Sequence, residues 1–262
     1  MTTIANLKEK KAAAEKLTCL TAYDASFAAL IYDAGIDIIL VGDSLGMVVQ
    51  GKETTLPVTL EEMIYHAQMV KRGAPDAFIV VDLPFMSYAS PELALKNAGK
   101  VMKRSGANMV KLEGGEAMLE TVSLLASRGI PVCAHLGLLP QSVHKTSGYR
   151  VQGKAEHDAI KILEDAVALE KAGADLIVLE CVPATLAKKI SLQLSIPTIG
   201  IGAGADCDGQ VLVLYDMLNI TKGKRPKFSK DFLAGQSSVQ EALAAYVAEV
   251  KSGAFPGPEH SF

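Results

Sequence analysis

Six short apolar runs in this 262-residue chain end on ionisable side chains: Asp24, Asp43, Asp82, Lys111 with Glu113, His135, and Glu180. One acid in such a place is ordinarily a helix cap or a turn former, and Asp24 taken alone is best explained that way. Six in succession ask for another explanation. If the runs are neighbouring parallel strands, their axes lie about 5 Å apart, and Asp43, Asp82 and Glu113 can converge on one point. Converging carboxylates repel one another. A hard dication relieves that repulsion, and an oxygen-only donor set that keeps several waters suits magnesium. The competing reading is a structural acid cluster neutralised by Lys111 and other cations.

Lys111 and Glu113 are two apart on one strand and so face the same side, where the lysine can pair with Glu113 or with a ligand carboxylate. Glu180 closes the sixth run, opposite the second in a closed sheet of eight. A carboxylate that faces a metal without ligating it is placed to act as a base. Its structural alternative is to cap the turn before Pro183. His135 lies between the acid arc and Glu180, and either donates to a substrate or holds a neighbouring carboxylate.

Two motifs are set aside on physical grounds. Gly42-Asp43-Ser44-Leu45 spells an esterase-like nucleophile motif, but no Asp-x-x-His pair occurs anywhere in the chain to activate the serine. Ser44 is better read as a donor beside a metal-bound anion. Gly200-Ile201-Gly202-Ala203-Gly204 resembles a dinucleotide loop, yet no acid ends a strand about 20 residues later. Its glycines are expected to leave room for substrate.

The elements that must position these residues repeat one pattern: amphipathic helix, glycine, short apolar run, polar residue. Strands are expected near 18–23, 37–43, 78–82, 108–113, 131–136, 175–180, 197–201 and 210–215, each apolar enough to be covered on both faces. Gly35, Gly73, Gly106, Gly129 and Gly173 are expected to close helices in the left-handed conformation. Helical faces run through Phe27, Leu30, Ile31 and Ala34, through Ala94, Ala98, Val101 and Met102, and through Ile160, Leu163 and Val167. Thr59 with Glu62 has capping-box spacing, and Ser90 precedes Pro91 as an N-cap precedes a first-turn proline.

Eight strands alternating with helices predict a single (β/α)8 TIM barrel over residues 1–262 with an extra N-terminal helix, an open doubly wound sheet being the alternative. Linkers are expected to be short except for 137–154, a length more often functional than idle.

With 49% hydrophobic and 21% charged residues the chain can bury a large core. A net charge of -3 with both signs interspersed argues against nucleic acid as a partner and favours a small molecule. Residues 1–16 are too charged for a secretory signal and no apolar run reaches the roughly 20 residues of a membrane span, so a cytoplasmic protein is expected. Cys19, Cys133, Cys181 and Cys207 are too scattered for a disulfide framework or zinc site and are expected to be buried thiols.

Taken in order, several segments resemble the ketopantoate hydroxymethyltransferase family, whose members commit 2-oxoisovalerate to pantothenate synthesis. They are 21–24 (Thr-Ala-Tyr-Asp), 41–47 (Val-Gly-Asp-Ser-Leu-Gly-Met), 55–59, 82–86 (Asp-Leu-Pro-Phe-Met), 110–115 (Val-Lys-Leu-Glu-Gly-Gly), 135–138, 140–142 (Pro-Gln-Ser), 148–153 (Gly-Tyr-Arg-Val-Gln-Gly), 179–183 (Leu-Glu-Cys-Val-Pro), 199–204 and 259–262. Departures are Ala134 and Asn219, where glycine is common, and Leu139, where threonine is common.

The resemblance implies that Asp43 and Asp82 bind Mg2+, that Glu113 supports it through water, that Ser44 and Lys111 hold the keto acid, and that Glu180 is the general base. It further implies methylenetetrahydrofolate as one-carbon donor and a decameric homo-oligomer. In such chemistry the base removes the C3 proton of an α-keto acid and the carbanion attacks the folate's methylene carbon, with no protein nucleophile or redox cofactor. The nearest rivals are magnesium-dependent carbon–carbon lyases and phosphonate mutases of the same barrel type. Those lyases carry a Lys-Lys-Cys-Gly-His loop that this chain lacks. A non-catalytic keto-acid sensor would need no base opposite the metal.

Overall fold

The computed structural model describes residues 2–145, 148 and 150–262. Met1, Thr146, Ser147 and Tyr149, all within segments read above, lie outside the described residues. Helix α1 (Ile4–Ala12) leads into β1 (Leu17–Thr21), α2 (Ala25–Asp33), β2 (Ile38–Val41), α3 (Leu45–Val48), α4 (Leu60–Gly73), β3 (Phe78–Asp82), α5 (Pro91–Ser105) and β4 (Met109–Glu113). Then follow α6 (Leu119–Ser127), β5 (Val132–Gly137), α7 (Glu156–Ala172), β6 (Leu176–Glu180), α8 (Ala184–Gln193), β7 (Thr198–Ile201), β8 (Gly209–Leu212), α9 (Leu214–Met217) and α10 (Val239–Ser252). All strands are parallel and pair in sequence order. The register Leu17↔Gly209 through Leu20↔Leu212 joins β1 to β8. The sheet is therefore the closed (β/α)8 TIM barrel expected, and the open sheet is excluded.

Alternate strand residues fill two apolar layers. Leu17, Cys19, Ile38, Leu40, Val80 and Met109 pack inside the barrel, while Leu20, Ile39, Val81, Val110 and Leu179 pack outward against the helices. Because both faces are covered, the strands read as continuous apolar runs rather than alternating ones. Leu7 of α1 joins the inner layer at 1% exposure, so the extra helix plugs the N-terminal mouth. Lys8, Lys10 and Lys11 pair with Asp175, Asp37 and Asp208, which immediately precede β6, β2 and β8. With that end closed, the opposite mouth is left for the site.

Local signals behave as anticipated at most termini. Thr59 and Glu62 form a reciprocal capping box, Ser90 caps α5 ahead of Pro91, and Asp24 caps α2 by accepting from the Phe27 N–H. Gly35, Gly106, Gly129 and Gly173 take positive φ. Gly73 does not: it ends α4 in a close crossing with α2, where an added Cβ would lie 2.1 Å from the Ala25 carbonyl oxygen. The expected face of α7 holds at Leu163 and Val167, which pack against the core, but not at Ile160. Ile160 is 50% exposed, and the buried stripe runs through Ala166 and Leu169 with Ala159, Ile162 and Leu163 at its edge.

Three strands stop short of their expected ends at 23, 43 and 215. At β8 the chain turns into α9 because the Leu214 N–H is taken by Thr21 Oγ1 at 3.0 Å and Leu214 is fully buried. Residues 218–238 form a second long connection that was not anticipated. It is held by Phe232, which is 2% exposed, donates its N–H to Met217 O and meets Tyr246 and Phe255 edge to face. The four cysteines are free and buried. Among the described residues no helix is long and apolar enough to cross a membrane.

Candidate active site

Strands β2 to β6 bring polar residues at or near their ends to the C-terminal mouth, where active sites of this barrel lie. Asp82, Glu113 and Glu180 are the last residues of β3, β4 and β6; Asp43 follows β2 by two residues, and His135 sits in β5. Asp43, Asp82, Lys111, Glu113 and His135 are all nearly buried, between 2% and 6% exposed. Asp82 bridges two neighbours: one carboxylate oxygen accepts the Asp43 N–H at 3.1 Å and the other lies 2.9 Å from Lys111 Nζ.

Lys111 approaches His135 Nδ1 at 3.4 Å, and His135 Nε2 lies 3.3 Å from Glu180 Oε2. Asp82, Lys111, His135 and Glu180 thus form a polar chain from the acid arc to the far carboxylate. Lys111 pairs with Asp82 rather than with Glu113, the partner considered from spacing. Asp24, spent as a cap, takes no part.

Burial controls the charges. It pushes the Asp43 carboxyl up to about 7, with the nearby Asp82 charge adding to the effect. Burial likewise lifts Glu113 well above the ordinary carboxylate value. Burial alone would lower Lys111, but Asp82, Glu113 and Asp43 outweigh it and keep the ammonium charged. His135 is held neutral, first by burial and then by the Lys111 charge. A neutral ring beside Lys111 accepts at Nδ1 and so carries its proton on Nε2, facing Glu180.

Ser44 stands at the turn before α3, its Oγ 2.9 Å from the Tyr23 hydroxyl. A Cβ at Gly42 would lie 2.8 Å from that Oγ, so glycine there gives the serine its space. Among the described residues no histidine is hydrogen-bonded to this hydroxyl to activate it as a nucleophile. The glycines of 200–204 do not open room for substrate. Positions for a Cβ on Gly202 and Gly204 face Phe262, Phe228 and Ala184 at 3.1 Å or less, so the chain itself fills that space.

Three neighbouring carboxylates against one lysine leave the arc acidic, and the donors are hard oxygens, as magnesium prefers. Thr55 Oγ1 is buried without a hydrogen-bond partner, and Asp82 Oδ1 meets only the Lys111 ammonium, which fits a ligand that supplies further charge or water there. Among the described residues no three His, Cys, Asp or Glu side chains are drawn tightly enough to enclose an ion directly.

Reasoning from strand ends missed three residues. Tyr23 supports Ser44; Tyr88 and Gln141 support the acids, with Gln141 Nε2 donating to Asp43 Oδ2 at 2.8 Å. Tyr23 and Gln141 fall in the segments that carry the resemblance, whereas Tyr88 sits on an irregular loop and gives no periodic signal.

Comparison with known proteins places the chain in a family. A family model described as ketopantoate hydroxymethyltransferase matches residues 1–258. A 3-methyl-2-oxobutanoate hydroxymethyltransferase of Nitrosospira multiformis is 61% identical, the match covering 95% of this chain and 94% of that protein. The protein of that name from Idiomarina loihiensis is 58% identical over 100% of this chain and 98% of its own length. Among solved structures, a putative phosphonomutase of Burkholderia cenocepacia superposes with a TM-score of 0.65 at 15% identity, covering 81% of this chain and 94% of its own. A phosphonopyruvate hydrolase in complex with oxalate and Mg2+ superposes with a TM-score of 0.62 at 12% identity, covering 97% and 98%. These structural likenesses concern the fold. The sequence matches go further, and the chain belongs to the ketopantoate hydroxymethyltransferase family of enzymes.

Proposed function

We propose that this protein transfers a hydroxymethyl group from methylenetetrahydrofolate to 2-oxoisovalerate, giving ketopantoate, with Mg2+ bound at the acid arc. The observation that carries the reading is the pairing of a buried carboxylate arc with Glu180 across the barrel mouth, joined through Lys111 and His135.

Asp43 and Asp82 would hold the ion and Glu113 would support it through water. When bound, the ion stabilises negative charge developing on the keto acid. Lys111, kept charged by its acidic neighbours, and Ser44 orient the substrate carboxylate. Glu180, less enclosed than the others at 13% side-chain exposure, takes the C3 proton. The neutral His135 would turn its Nε2 proton toward the Glu180 carboxylate, which lies 3.3 Å away. The C3 carbanion then bonds to the methylene carbon of the folate as one of that carbon's two bonds to nitrogen breaks; water displaces the second nitrogen and supplies the hydroxyl oxygen, and both nitrogens leave protonated as tetrahydrofolate. A carboxylate is too weak a base for an unassisted ketone, so these charges must act chiefly in the transition state.

The whole chain, 1–262, acts as one catalytic domain. Family membership also supports a cytoplasmic homo-oligomer, a decamer by resemblance, which light scattering checks: a stable, active monomer would refute it. A keto-acid lyase of the same barrel type is not favoured, since the family match covers nearly all of the chain. Incubation with 2-oxoisovalerate and methylenetetrahydrofolate should yield ketopantoate with Mg2+ and none once the metal is chelated. Equal turnover without metal contradicts the metal assignment, and no product in either case contradicts the reaction.

A further inference from the structure

Gln141 lies between two of the three arc carboxylates, and every hydrogen-bonding group of its side chain is used. It follows β5 on the long connection to α7 and is 5% exposed. Its two amide protons go to Asp43 Oδ2 at 2.8 Å and to Leu83 O at 3.0 Å. Its backbone N–H goes to Glu113 Oε2 at 3.1 Å. The amide oxygen accepts from the Tyr88 hydroxyl, which itself faces the Glu113 N–H at 3.4 Å. Tyr88 is held in turn by its loop: the buried Asn97 of α5 donates to Ser87 O at 2.6 Å.

An amide can be turned over by half a rotation, exchanging a donor for an acceptor. Here Leu83 O and the Asp43 carboxylate, which can only accept, settle the orientation: the NH2 group points to them and Oε1 is left to accept from the Tyr88 hydroxyl.

We propose that Gln141 is the positioning residue of the metal-binding carboxylates and that Tyr88 is the lock on its amide. Resting on the metal reading above, the proposal adds that Gln141 claims one oxygen each of Asp43 and Glu113 and so leaves each acid a single oxygen to turn toward the ion. It also ties the β5–α7 connection, and with it a loop at the substrate mouth, to the metal carboxylates. Partners of this kind orient ligands, and their loss typically costs roughly 10–100-fold in metal affinity.

The test is Mn2+ binding followed by the loss of its free-ion paramagnetic resonance signal, on the intact protein without substrate. Tyr88→Phe keeps the ring and removes the hydroxyl, with it the lock and a long contact from the Glu113 N–H; Gln141→Leu keeps the bulk and removes the amide. Each should weaken Mn2+ binding by about 10-fold or more. Because Tyr88 is assigned a role through Gln141, the double variant should bind no more weakly than Gln141→Leu alone. Thermal unfolding without metal guards against a merely structural effect, since Tyr88→Phe should melt close to the wild type. Wild-type Mn2+ affinity in both variants, or additive losses in the double variant, would overturn this proposal and leave the metal site standing. A wild type that binds no Mn2+ would overturn the metal reading and this proposal with it.

Discussion

At the scale of single residues, the site stores charge that the fold alone does not neutralise. Asp43 rises from an ordinary 3.8 to about 7 chiefly through burial. For an acid raised in the folded state, the stabilising contribution is complete below the unfolded value and is lost as pH climbs through the folded one. Near pH 8 without metal, the ionised Asp43 therefore works against folding. Asp43→Asn removes that charge but leaves an oxygen for Gln141 to donate to. The variant should melt above the wild type at pH 8 without metal, should lose most of the stabilisation that Mg2+ gives the wild type, and should be inactive. Differential scanning calorimetry with and without Mg2+ checks this; a variant that melts lower, or gains as much from Mg2+, contradicts the assignment.

The acids, lysine and histidine of this network could be found from sequence because strand ends mark them. Tyr88 could not, because its meaning rests on a contact 53 residues away with Gln141, and neither lies on a periodic element.

Among the elements, strands and helix caps were the most readable features, since each obeys a local rule. The failures arose where tertiary packing decides. Gly73 does end α4, but without the expected left-handed conformation: it serves the crossing of α4 over α2, which begins beside Tyr23. Gly73→Ala places a methyl against an unyielding carbonyl and should cost roughly 1–3 kcal/mol. Gly35→Ala meets open space and carries only the strain of φ +80, about 1–2 kcal/mol. Urea unfolding of the two separates a packing cost from a backbone one, and wild-type stability in Gly73→Ala would remove the crossing argument. Ile160 shows the same limit, because two stripes of α7 are apolar and only packing selects between them. Asn219 shows the reverse. Its φ of +55 explains why glycine is common there and why asparagine is tolerated.

For the whole molecule, the two ends of the barrel have separate tasks. The N-terminal mouth is closed by α1, with Leu7 inside and three lysines on three acids. Leu7→Ala should lower unfolding free energy by about 2–5 kcal/mol while the folded fraction keeps wild-type kcat, as the site lies at the other end. A large fall in kcat at full folding would show that the ends are coupled. At the C-terminal mouth, opposite strands must cooperate, and that is the central claim: Glu180 on β6 removes a proton from a keto acid held at the β2–β4 arc.

The proton-transfer step can be isolated by omitting the folate. In heavy water with Mg2+ and 2-oxoisovalerate, the wild type should exchange the C3 hydrogen for deuterium, seen by proton NMR as loss of the methine signal. Glu180→Gln keeps the size and hydrogen-bonding reach of the side chain but cannot accept a proton. Keto-acid binding should persist in that variant while exchange falls by about 10²-fold or more. Exchange at the wild-type rate in Glu180→Gln would contradict the account.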